Sequence, residues 1–386
     1  MSLPAAIVGS LPWTLGPVVS LLRWRNSRSL DDVSPDVDRG TAPLVSVIIP
    51  ARNEARNIER CVRSVLASQY PNFETIVVDD HSTDETGRIV QELAEGDIRL
   101  HVLSAPELPA GWFGKQWACA SGAARAKGEI IVFTDADTYH APDLLPRVVN
   151  AMREREADLL SVAGTQETKS FWERIVQPHL FAMLLARYGG TESVSNAKRA
   201  VDVIANGQFI AVRRDAYDRV GGHAKVRERV AEDMAIAQEF FRAGRRVVLY
   251  AATEQFSTHM YSGLREVVAG WSKNIYAGGR DAALGGAAGR ALYPLVLIGW
   301  PLLGIAPVVA LAMAAFGLLS QSWLIWSVVC VAFAIGFWTV LYRFMKQPLW
   351  YALLFPLGYL ILGYIAVTAV MRGNRVQWKQ RRYVAR

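Results

Sequence analysis

The stretch Ile130-Ile131-Val132-Phe133-Thr134-Asp135-Ala136-Asp137 joins a short apolar run directly to two carboxylates. Such a run predicts a buried strand, so that Asp135 and Asp137 emerge together at its carboxyl end. Because collecting negative charge at a buried strand end is costly, a positive partner is expected there. The alternative is that Asp137 caps a helix over residues 141–152.

Three more short apolar runs precede this strand and alternate with segments of helical periodicity. The alternation predicts an α/β domain whose mostly parallel sheet is covered on both faces. The predicted strands are residues 45–49, 75–78, 100–103 and 130–133, and the predicted helices include residues 55–66 and 117–126. Polar clusters at residues 50–54, 79–84 and 135–137 follow three of the strands. In parallel sheets, ligands bind beyond these strand ends.

The rest of the chain is strongly apolar. Of its 386 residues, 52% are hydrophobic and 20% charged, which excludes an ordinary soluble enzyme. Uncharged runs at residues 292–319, 323–342 and 349–371 approach or exceed the roughly 20 residues that span a bilayer as a helix. Residues 1–22 are uncharged and precede three arginines, the reverse of a cleaved signal peptide. They predict a retained anchor, with the next domain cytosolic.

Six segments are therefore predicted. They are an N-terminal anchor (1–22), a linker (23–44), a cytosolic domain (45–262), an interfacial amphipathic helix (263–281), membrane helices (292–371) and a basic cytosolic tail (372–386). Three full spans after a cytosolic domain would place the tail outside. One segment is therefore expected to be re-entrant, with a break at Pro301, Pro307 or Pro356. The predicted location is the inner (cytoplasmic) membrane, with several spans.

The net charge of +7 lies mainly in the segments that flank the apolar runs. That distribution favours anionic lipid headgroups as partners and disfavours nucleic acid. Cys61, Cys119 and Cys330 have neither the spacing of a zinc site nor that of a disulfide framework.

A second acidic pair, Glu232-Asp233, opens a predicted helix that continues through residues 234–242. Carboxylates in a first turn stabilise the helix dipole, and that is the simpler interpretation. Against it, a polar turn at residues 205–208 and the pair Gly221-Gly222 precede the helix. Glycines at such points allow the backbone to approach a ligand closely.

Four motifs resemble, in order and spacing, those of family 2 glycosyltransferases. They are Val47-Ile48-Ile49-Pro50-Ala51-Arg52-Asn53-Glu54, Val78-Asp79-Asp80-His81-Ser82-Thr83-Asp84, Phe133-Thr134-Asp135-Ala136-Asp137 and Glu232-Asp233. The resemblance covers about residues 45–279. It implies a GT-A fold, which is Rossmann-like, a nucleotide-diphosphate-sugar donor, with a UDP-sugar as first expectation, and Mg²⁺ or Mn²⁺ as cofactor.

The resemblance also implies roles for individual residues. The implied nucleotide-sugar ligands are Pro50, Arg52, Glu54, Asp79, Asp80, Lys115 and Asp135. Asp137, with Asp135, would hold the metal, and Asp233 would be the catalytic base, with Glu232 beside it. One base and one metal suffice for a single displacement, which inverts the anomeric configuration. His259 is a further candidate ligand, although a lone histidine is more often structural.

Lys115 lies in the glycine-flanked segment Trp112-Phe113-Gly114-Lys115-Gln116-Trp117-Ala118, predicted to be a loop before a helix. Backbone N–H groups and an ammonium at a helix start favour a diphosphate. A solvated surface lysine is the alternative.

The acceptor is predicted from two segments near the membrane. Residues 265–279 have the pattern of an amphipathic helix on the bilayer surface, with core packing as the alternative. Processive polysaccharide synthases carry Gln-x-x-Arg-Trp here, and this chain retains only Trp271. The tail at residues 375–383 resembles that of ceramide, carotenoid and hopanoid-associated glycosyltransferases, and its Trp378 and Arg381 are expected at the acceptor or the interface.

The resemblance thus implies transfer of a hexose to a hopanoid, carotenoid or sphingoid lipid. The alternatives are a polyprenyl-phosphate glycosyltransferase, a polysaccharide synthase and a catalytically silent nucleotide-sugar-binding protein. A transporter is disfavoured because the predicted spans contain almost no polar residues.

Overall fold

The computed structural model describes residues 3–373, 375–378 and 381–384, with side chains for residues 4–373. Two compact units are described separately below. The sheet unit comprises residues 27–167, 191–260 and 374–386, and the helical unit comprises residues 1–26, 168–190 and 261–373.

The sheet unit is built on an eight-stranded sheet with the order β3-β2-β1-β4-β7-β6-β8-β5. The strands are β1 (Val45–Ala51), β2 (Phe73–Asp79), β3 (Leu100–Ser104), β4 (Ile130–Thr134), β5 (Thr138–His140), β6 (Leu159–Gln166), β7 (Phe209–Arg213) and β8 (Val247–Thr258). The half β3-β2-β1-β4 is parallel, as is the pair β6-β8, whereas β7 and β5 are antiparallel to their neighbours. The predicted α/β class is confirmed, with a mixed sheet.

Alternation along the central strands explains why helices cover both faces. Val47 and Ile49 lie in one buried cluster, whereas Ile48 lies in the other, because successive strand residues point to opposite faces. The helices of this unit are α2 (Ile58–Leu66), α3 (Thr86–Gly96), α4 (Gly114–Arg125), α5 (Leu144–Glu154), α7 (Thr191–Ser195), α8 (Arg214–Val220) and α9 (Glu232–Arg242). Residues of α2, α3 and α5 join the first cluster, and residues of α4, α8 and α9 the second.

Pro50 lies inside β1, and not after it as predicted from the sequence. A proline is tolerated there because β4 pairs with β1 only as far as Ile48. The missing N–H at position 50 therefore removes no bond on that side of the strand.

The predicted linker at residues 23–44 is largely a packed part of the sheet unit. Leu30 and Val33 are 0% and 4% exposed and belong to the same buried cluster as β1. Arg147 of α5 donates to the carbonyl oxygens of both residues. Burial of these two apolar side chains and satisfaction of their backbone groups explain why the segment is ordered here.

The helical unit contains α1 (Leu3–Trp24), α6 (Phe171–Tyr188), α10 (Leu264–Asp281), α11 (Gly286–Ala315), α12 (Gln321–Phe344) and α13 (Phe355–Arg372). Four helical segments among the described residues are long and apolar enough to cross a membrane: Pro4–Trp24, Gly286–Ala315, Gln321–Phe344 and Leu349–Arg372. Large apolar side chains on them, such as Leu295 and Leu302, are 68% and 62% exposed. An apolar surface of this kind suits lipid, and the protein is membrane-associated.

The prolines of these segments behave differently from one another. Pro301 and Pro307 lie within the continuous helix α11, so the expected break at either of them is wrong. Long membrane helices tolerate proline where neighbours satisfy the freed carbonyl groups. Pro356 lies in the first turn of α13, after a 3₁₀ helix at Leu349–Leu354. The change of helix type occurs there because a first-turn proline has no helical N–H bond to lose.

Helix α6 was not predicted, and it belongs to the helical unit although it interrupts the predicted domain at residues 45–262. A capping box between Ser170 and Glu173 begins it. Pro178 leaves the carbonyl of Arg174 without its helical donor, and the Tyr342 hydroxyl of α12 donates to that oxygen at 2.8 Å. The helix is thus joined to a candidate span by a polar contact.

Helix α10 corresponds to the predicted amphipathic helix. Its Val267 and Ile275 are 0% and 6% exposed and pack in the core of the helical unit, and Trp271 packs beside them. Core packing therefore accounts for part of the apolar face. Contact of this helix with a bilayer surface stays a prediction.

Candidate active site

The Asp135-Ala136-Asp137 triplet lies between β4 and β5. Thr138 begins β5, which pairs antiparallel with β8, so a strand and not a helix follows Asp137. Helix α5 begins only at Leu144, after Asp143. The alternative that Asp137 caps a helix is therefore wrong.

Neighbouring strands hold the backbone of the triplet in place. The Asp135 N–H donates to the Gln208 carbonyl at 3.2 Å, and the His259 N–H donates to the Asp137 carbonyl at 3.3 Å. The Thr138 hydroxyl donates to the Asp135 carbonyl at 2.8 Å. The carboxylates therefore project from a constrained turn.

Asp137 has the properties expected of a cation ligand. Its Oδ1 is buried and has no hydrogen-bond partner within the described residues. Burial, together with repulsion from Asp135 and Glu54, raises the pKa of Asp137 to about 8. A divalent cation would supply the missing positive charge. Across the described residues no group of three or more His, Cys, Asp or Glu side chains forms a closed metal cage. Mg²⁺ and Mn²⁺ suit such a site, since phosphate and water complete their coordination.

Lys115 is the positive partner that the strand end required. Its Nζ lies 2.8 Å from Asp135 Oδ1 and 2.7 Å from Glu232 Oε1, and its side chain is 22% exposed. Burial lowers the pKa of Lys115, but the two carboxylates outweigh burial and hold that pKa well above its usual value. Lys115 lies in the first turn of α4, and not in the loop before the helix as predicted. It is also no solvated surface lysine.

The acidic pair opens α9, as predicted, and its two members have different surroundings. Glu232 pairs with Lys115, which lowers the Glu232 pKa against the opposing effect of burial. Asp233 accepts hydrogen bonds from the Gly207 N–H at 2.9 Å and the Met234 N–H at 2.7 Å. Burial, with repulsion from Glu232, raises the Asp233 pKa to about 6. A carboxylate with such a pKa is suited to accept a proton near neutral pH.

The turn at residues 206–208 has a role that the sequence did not reveal. A glycine was expected to allow close approach of a ligand, but Gly207 instead meets Asp233. A Cβ at position 207 would lie 2.8 Å from Asp233 Oδ2 and 2.9 Å from Asp233 Cβ. The signal in the sequence was the glycine itself. Its partner could not be inferred, because the two residues are distant along the chain.

Gly207→Ala is therefore expected to displace Asp233. We expect about 1–3 kcal/mol of destabilisation from overpacking. Because Asp233 is the predicted base, and small misplacement of a catalytic group is costly, we also expect a loss of turnover of about 10- to 100-fold. Thermal unfolding and initial rates would measure the two effects. Gly96→Ala is the matched control, since a Cβ there meets nothing within 4 Å. Equal behaviour of the two variants would contradict the assigned contact.

The predicted nucleotide end lies at the carboxyl ends of β1 and β2, beside β4 in the sheet. The Arg52 guanidinium donates to the Asp80 carbonyl and lies 3.9 Å from Asp80 Oδ2. Asp79 accepts from the Ser82 N–H at 3.1 Å. The Glu54 N–H donates to the Thr86 hydroxyl at 2.8 Å. These contacts order both loops at one sheet edge.

The three predicted acceptor residues belong to α10 and to the tail. Trp271 is in the helical unit, and its indole nitrogen is buried without a hydrogen-bond partner among the described residues. The side chains of Trp378 and Arg381 lie outside the described part. The backbone of that tail forms an antiparallel pair, β9 (Arg375–Trp378) and β10 (Arg381–Val384). An acceptor role for these three residues stays a prediction.

Comparison with known proteins finds some that are similar to this chain in sequence and others that are similar in fold. The chain is 28% identical over 245 residues to 4,4'-diaponeurosporenoate glycosyltransferase of Staphylococcus haemolyticus, covering 62% of each chain. The protein of that name from Staphylococcus aureus strain USA300 is 26% identical over 273 residues, covering 70% of this chain and 69% of the relative. The match to the first thus spans less than two thirds of its length.

A solved mannosyltransferase from Pyrobaculum calidifontis, in complex with GDP-Man and Mn²⁺, is similar with a TM-score of 0.57 and 21% identity. The similarity covers 96% of this chain and 97% of that one. It concerns the fold, and the expected GT-A architecture is confirmed. The family model described as Glycosyl transferase family 2 matches residues 46–221, the part of the chain that carries three of the four quoted motifs. Residues 46–221 of this chain are therefore similar to the family 2 glycosyltransferase domain.

Proposed function

We propose that this protein is an inverting glycosyltransferase that transfers a hexose from a nucleotide-diphosphate sugar to a membrane lipid. The observation that carries the proposal is the bridge formed by Lys115, 2.8 Å from Asp135 and 2.7 Å from Glu232. It joins the acidic triplet of β4 to the acidic pair of α9. A candidate diphosphate end and a candidate base, Asp233, thus lie in one cluster of charged side chains.

The chemistry assigns a role to each side chain. Asp137 and Asp135 would hold Mg²⁺ or Mn²⁺, which when bound neutralises charge on the leaving diphosphate. Asp233 accepts the proton of the acceptor hydroxyl while that oxygen bonds to the anomeric carbon. The bond from that carbon to the diphosphate oxygen breaks, and its electron pair leaves with the nucleoside diphosphate. Lys115 would contact a diphosphate oxygen.

A lipid acceptor is supported by two observations. The described residues include four candidate spans, and the two staphylococcal relatives are named as glycosyltransferases of 4,4'-diaponeurosporenoate. We therefore place a hopanoid, carotenoid or sphingoid lipid first, with the catalytic unit on the cytosolic side of the inner membrane. A UDP-sugar is the first donor to test.

Activity should depend on pH through Asp233. Its pKa, raised to about 6, means that the base is ionised above that pH and protonated below it. We expect kcat to be level above about pH 7 and to fall roughly tenfold per pH unit below about pH 6. Measurements of kcat between pH 4.5 and 8, with unfolding monitored at each pH, would show this fall of activity at low pH. A level rate down to pH 4.5 would contradict the assignment of the base.

The proposal as a whole is tested by a release assay. Purified protein in detergent is given a panel of nucleotide sugars, total lipid extract, and either Mn²⁺ or EDTA, and nucleoside diphosphate and glycolipid are measured. We expect release that requires lipid and is abolished by EDTA. Asp137→Ala should reduce it by at least about 100-fold, because charge stabilisation of the leaving group is lost.

Asp215→Asn is the control, because Asp215 is exposed on α8 and should leave release unchanged. Tight binding of a nucleotide sugar without any release would favour the catalytically silent binding protein. Release unaffected by EDTA and by Asp137→Ala would contradict the metal assignment.

A further inference from the structure

His140, the last residue of β5, contacts both residues that flank the acidic triplet. It is 2% exposed. Its Nε2 lies 3.0 Å from the Thr134 hydroxyl and 3.2 Å from the Thr138 hydroxyl, and the two hydroxyls are 3.1 Å apart. Thr134 directly precedes Asp135, and Thr138 directly follows Asp137. One buried ring nitrogen therefore contacts both ends of the turn.

The hydrogen bonds of the two threonines determine which ring nitrogen of His140 carries the proton. The Thr134 hydroxyl donates to the Gln208 carbonyl at 2.8 Å. The Thr138 hydroxyl donates to the Asp135 carbonyl, also at 2.8 Å. Because each hydroxyl has a single hydrogen, both oxygens are left to accept from His140. The Nε2–H therefore donates to both hydroxyls, and Nδ1, which is buried without a hydrogen-bond partner among the described residues, carries no proton.

The imidazole is itself held in place by its surroundings. It packs against Phe209 and Phe256, with ring centroids 5.6 and 5.4 Å away. Strand β5 pairs with β8, which places His140 opposite Phe256, and the backbone N–H of His140 donates to the Ser64 hydroxyl at 3.1 Å. In a close-packed interior these contacts leave the ring little freedom to turn. The Nε2–H thus has a fixed direction toward the two hydroxyls.

We infer that His140 is a positioning residue for the proposed cation site: its Nε2–H joins Thr134 to Thr138 and so fixes the turn that carries Asp135 and Asp137. Outer hydrogen bonds of this kind orient the ligands of a cation, and their loss costs about 10- to 100-fold in metal affinity. A turn that is free to open would direct the two carboxylates away from a shared ion. The inference rests on the proposed function and adds a residue that acts on the site only through other side chains.

The test measures binding of Mn²⁺ itself to the full-length protein, by electron paramagnetic resonance, with the nucleoside diphosphate that wild type releases in the assay above. His140→Phe keeps an aromatic ring against Phe209 and Phe256 and removes the N–H donor. We expect this variant to bind Mn²⁺ about 10- to 100-fold more weakly than wild type. The Mn²⁺ concentration that gives the half-maximal rate should rise by the same factor, whereas kcat at saturating Mn²⁺ should change little.

Two more conservative variants separate the hydrogen bond from a general effect on folding. His140→Gln offers an amide N–H near the position of Nε2 and should recover most of the Mn²⁺ affinity. Thr138→Val keeps the shape of the side chain and removes a hydroxyl that accepts from His140. It should therefore lose Mn²⁺ affinity even if His140→Phe does not fold.

Met152→Ala is the matched control for a loss of stability alone. Met152 is 1% exposed and lines a cavity together with Ile130, at the opposite end of β4 from the triplet. This variant should lower the temperature of unfolding and bind Mn²⁺ as wild type does.

The inference is overturned if a folded His140→Phe or Thr138→Val protein binds Mn²⁺ as tightly as wild type, or if Met152→Ala loses as much Mn²⁺ affinity as they do. Failure of the proposed function is a different result, since wild type then releases no nucleoside diphosphate from any donor.

Discussion

Asp233→Asn is expected to lower kcat by about 100- to 10,000-fold, the usual contribution of a general base. An amide cannot accept the proton of the acceptor hydroxyl at any pH in the working range. Asp233 also accepts two backbone N–H groups, and an amide can accept only one of them. We therefore expect an additional loss of about 1–3 kcal/mol of stability from the donor left unsatisfied.

Single-turnover rates at saturating donor would separate chemistry from binding in this variant. Nucleotide-sugar affinity should stay close to wild type, since the proposed role of Asp233 is to act on the acceptor. Asp215→Asn, which makes the same chemical change at an exposed position of α8, should leave kcat and unfolding unaltered. Turnover of Asp233→Asn within about tenfold of wild type would exclude the base role, given the magnitude of general-base catalysis.

Lys115→Met is expected to abolish detectable transfer and to destabilise the sheet unit. The stem of the side chain is kept, but Asp135 and Glu232 lose the ammonium that both contact. Breaking a buried pair costs about 3–5 kcal/mol, and we expect about 2–3 kcal/mol here because the three side chains are 13–29% exposed. Lys115 also lowers the Asp233 pKa, so that pKa should rise in the variant. As the pH is lowered, any residual activity should therefore begin to fall at a higher pH than in wild type.

The double variant Lys115→Met with Glu232→Gln separates the structural and catalytic roles of the lysine. Removing both charges should restore most of the stability, because no carboxylate at position 232 is then left without its partner. Transfer should stay low if Lys115 also contacts the diphosphate. Recovery of activity together with stability would limit Lys115 to charge compensation. Denaturant unfolding and release assays on the four proteins of the cycle would decide this.

The sequence predicted helices and strands well where the residues that determine an element all lie within that element. The run Ile130–Thr134 is continuously apolar and mostly β-branched, so a buried strand followed by two carboxylates was predictable from this local pattern alone. The same is true of the acidic start of α9. The apolar runs were long enough for length by itself to indicate candidate spans.

Helix α6 shows where such signals fail. Its Glu173, Arg174 and His179 interrupt the apolar pattern, so neither length nor hydropathy indicated that it belongs with the candidate spans. The bond from Tyr342 to the Arg174 carbonyl, which helps to join it to them, involves residues far apart in the chain.

The candidate active site likewise combines features that the local sequence predicts with features that it does not. The residue types and the strand ends on which they lie are properties of local sequence, and so the acidic residues could be nominated from it. The pairing of Lys115 with Asp135 and Glu232, and the contact of Gly207 with Asp233, exist only because β7 pairs beside β4 and α9 packs on their face. Sequence periodicity states which face of an element is buried but not which elements become neighbours. The ion pairs of Lys115 and the packing of Gly207 against Asp233 join residues that are distant in the sequence. They are therefore decided only by the tertiary structure.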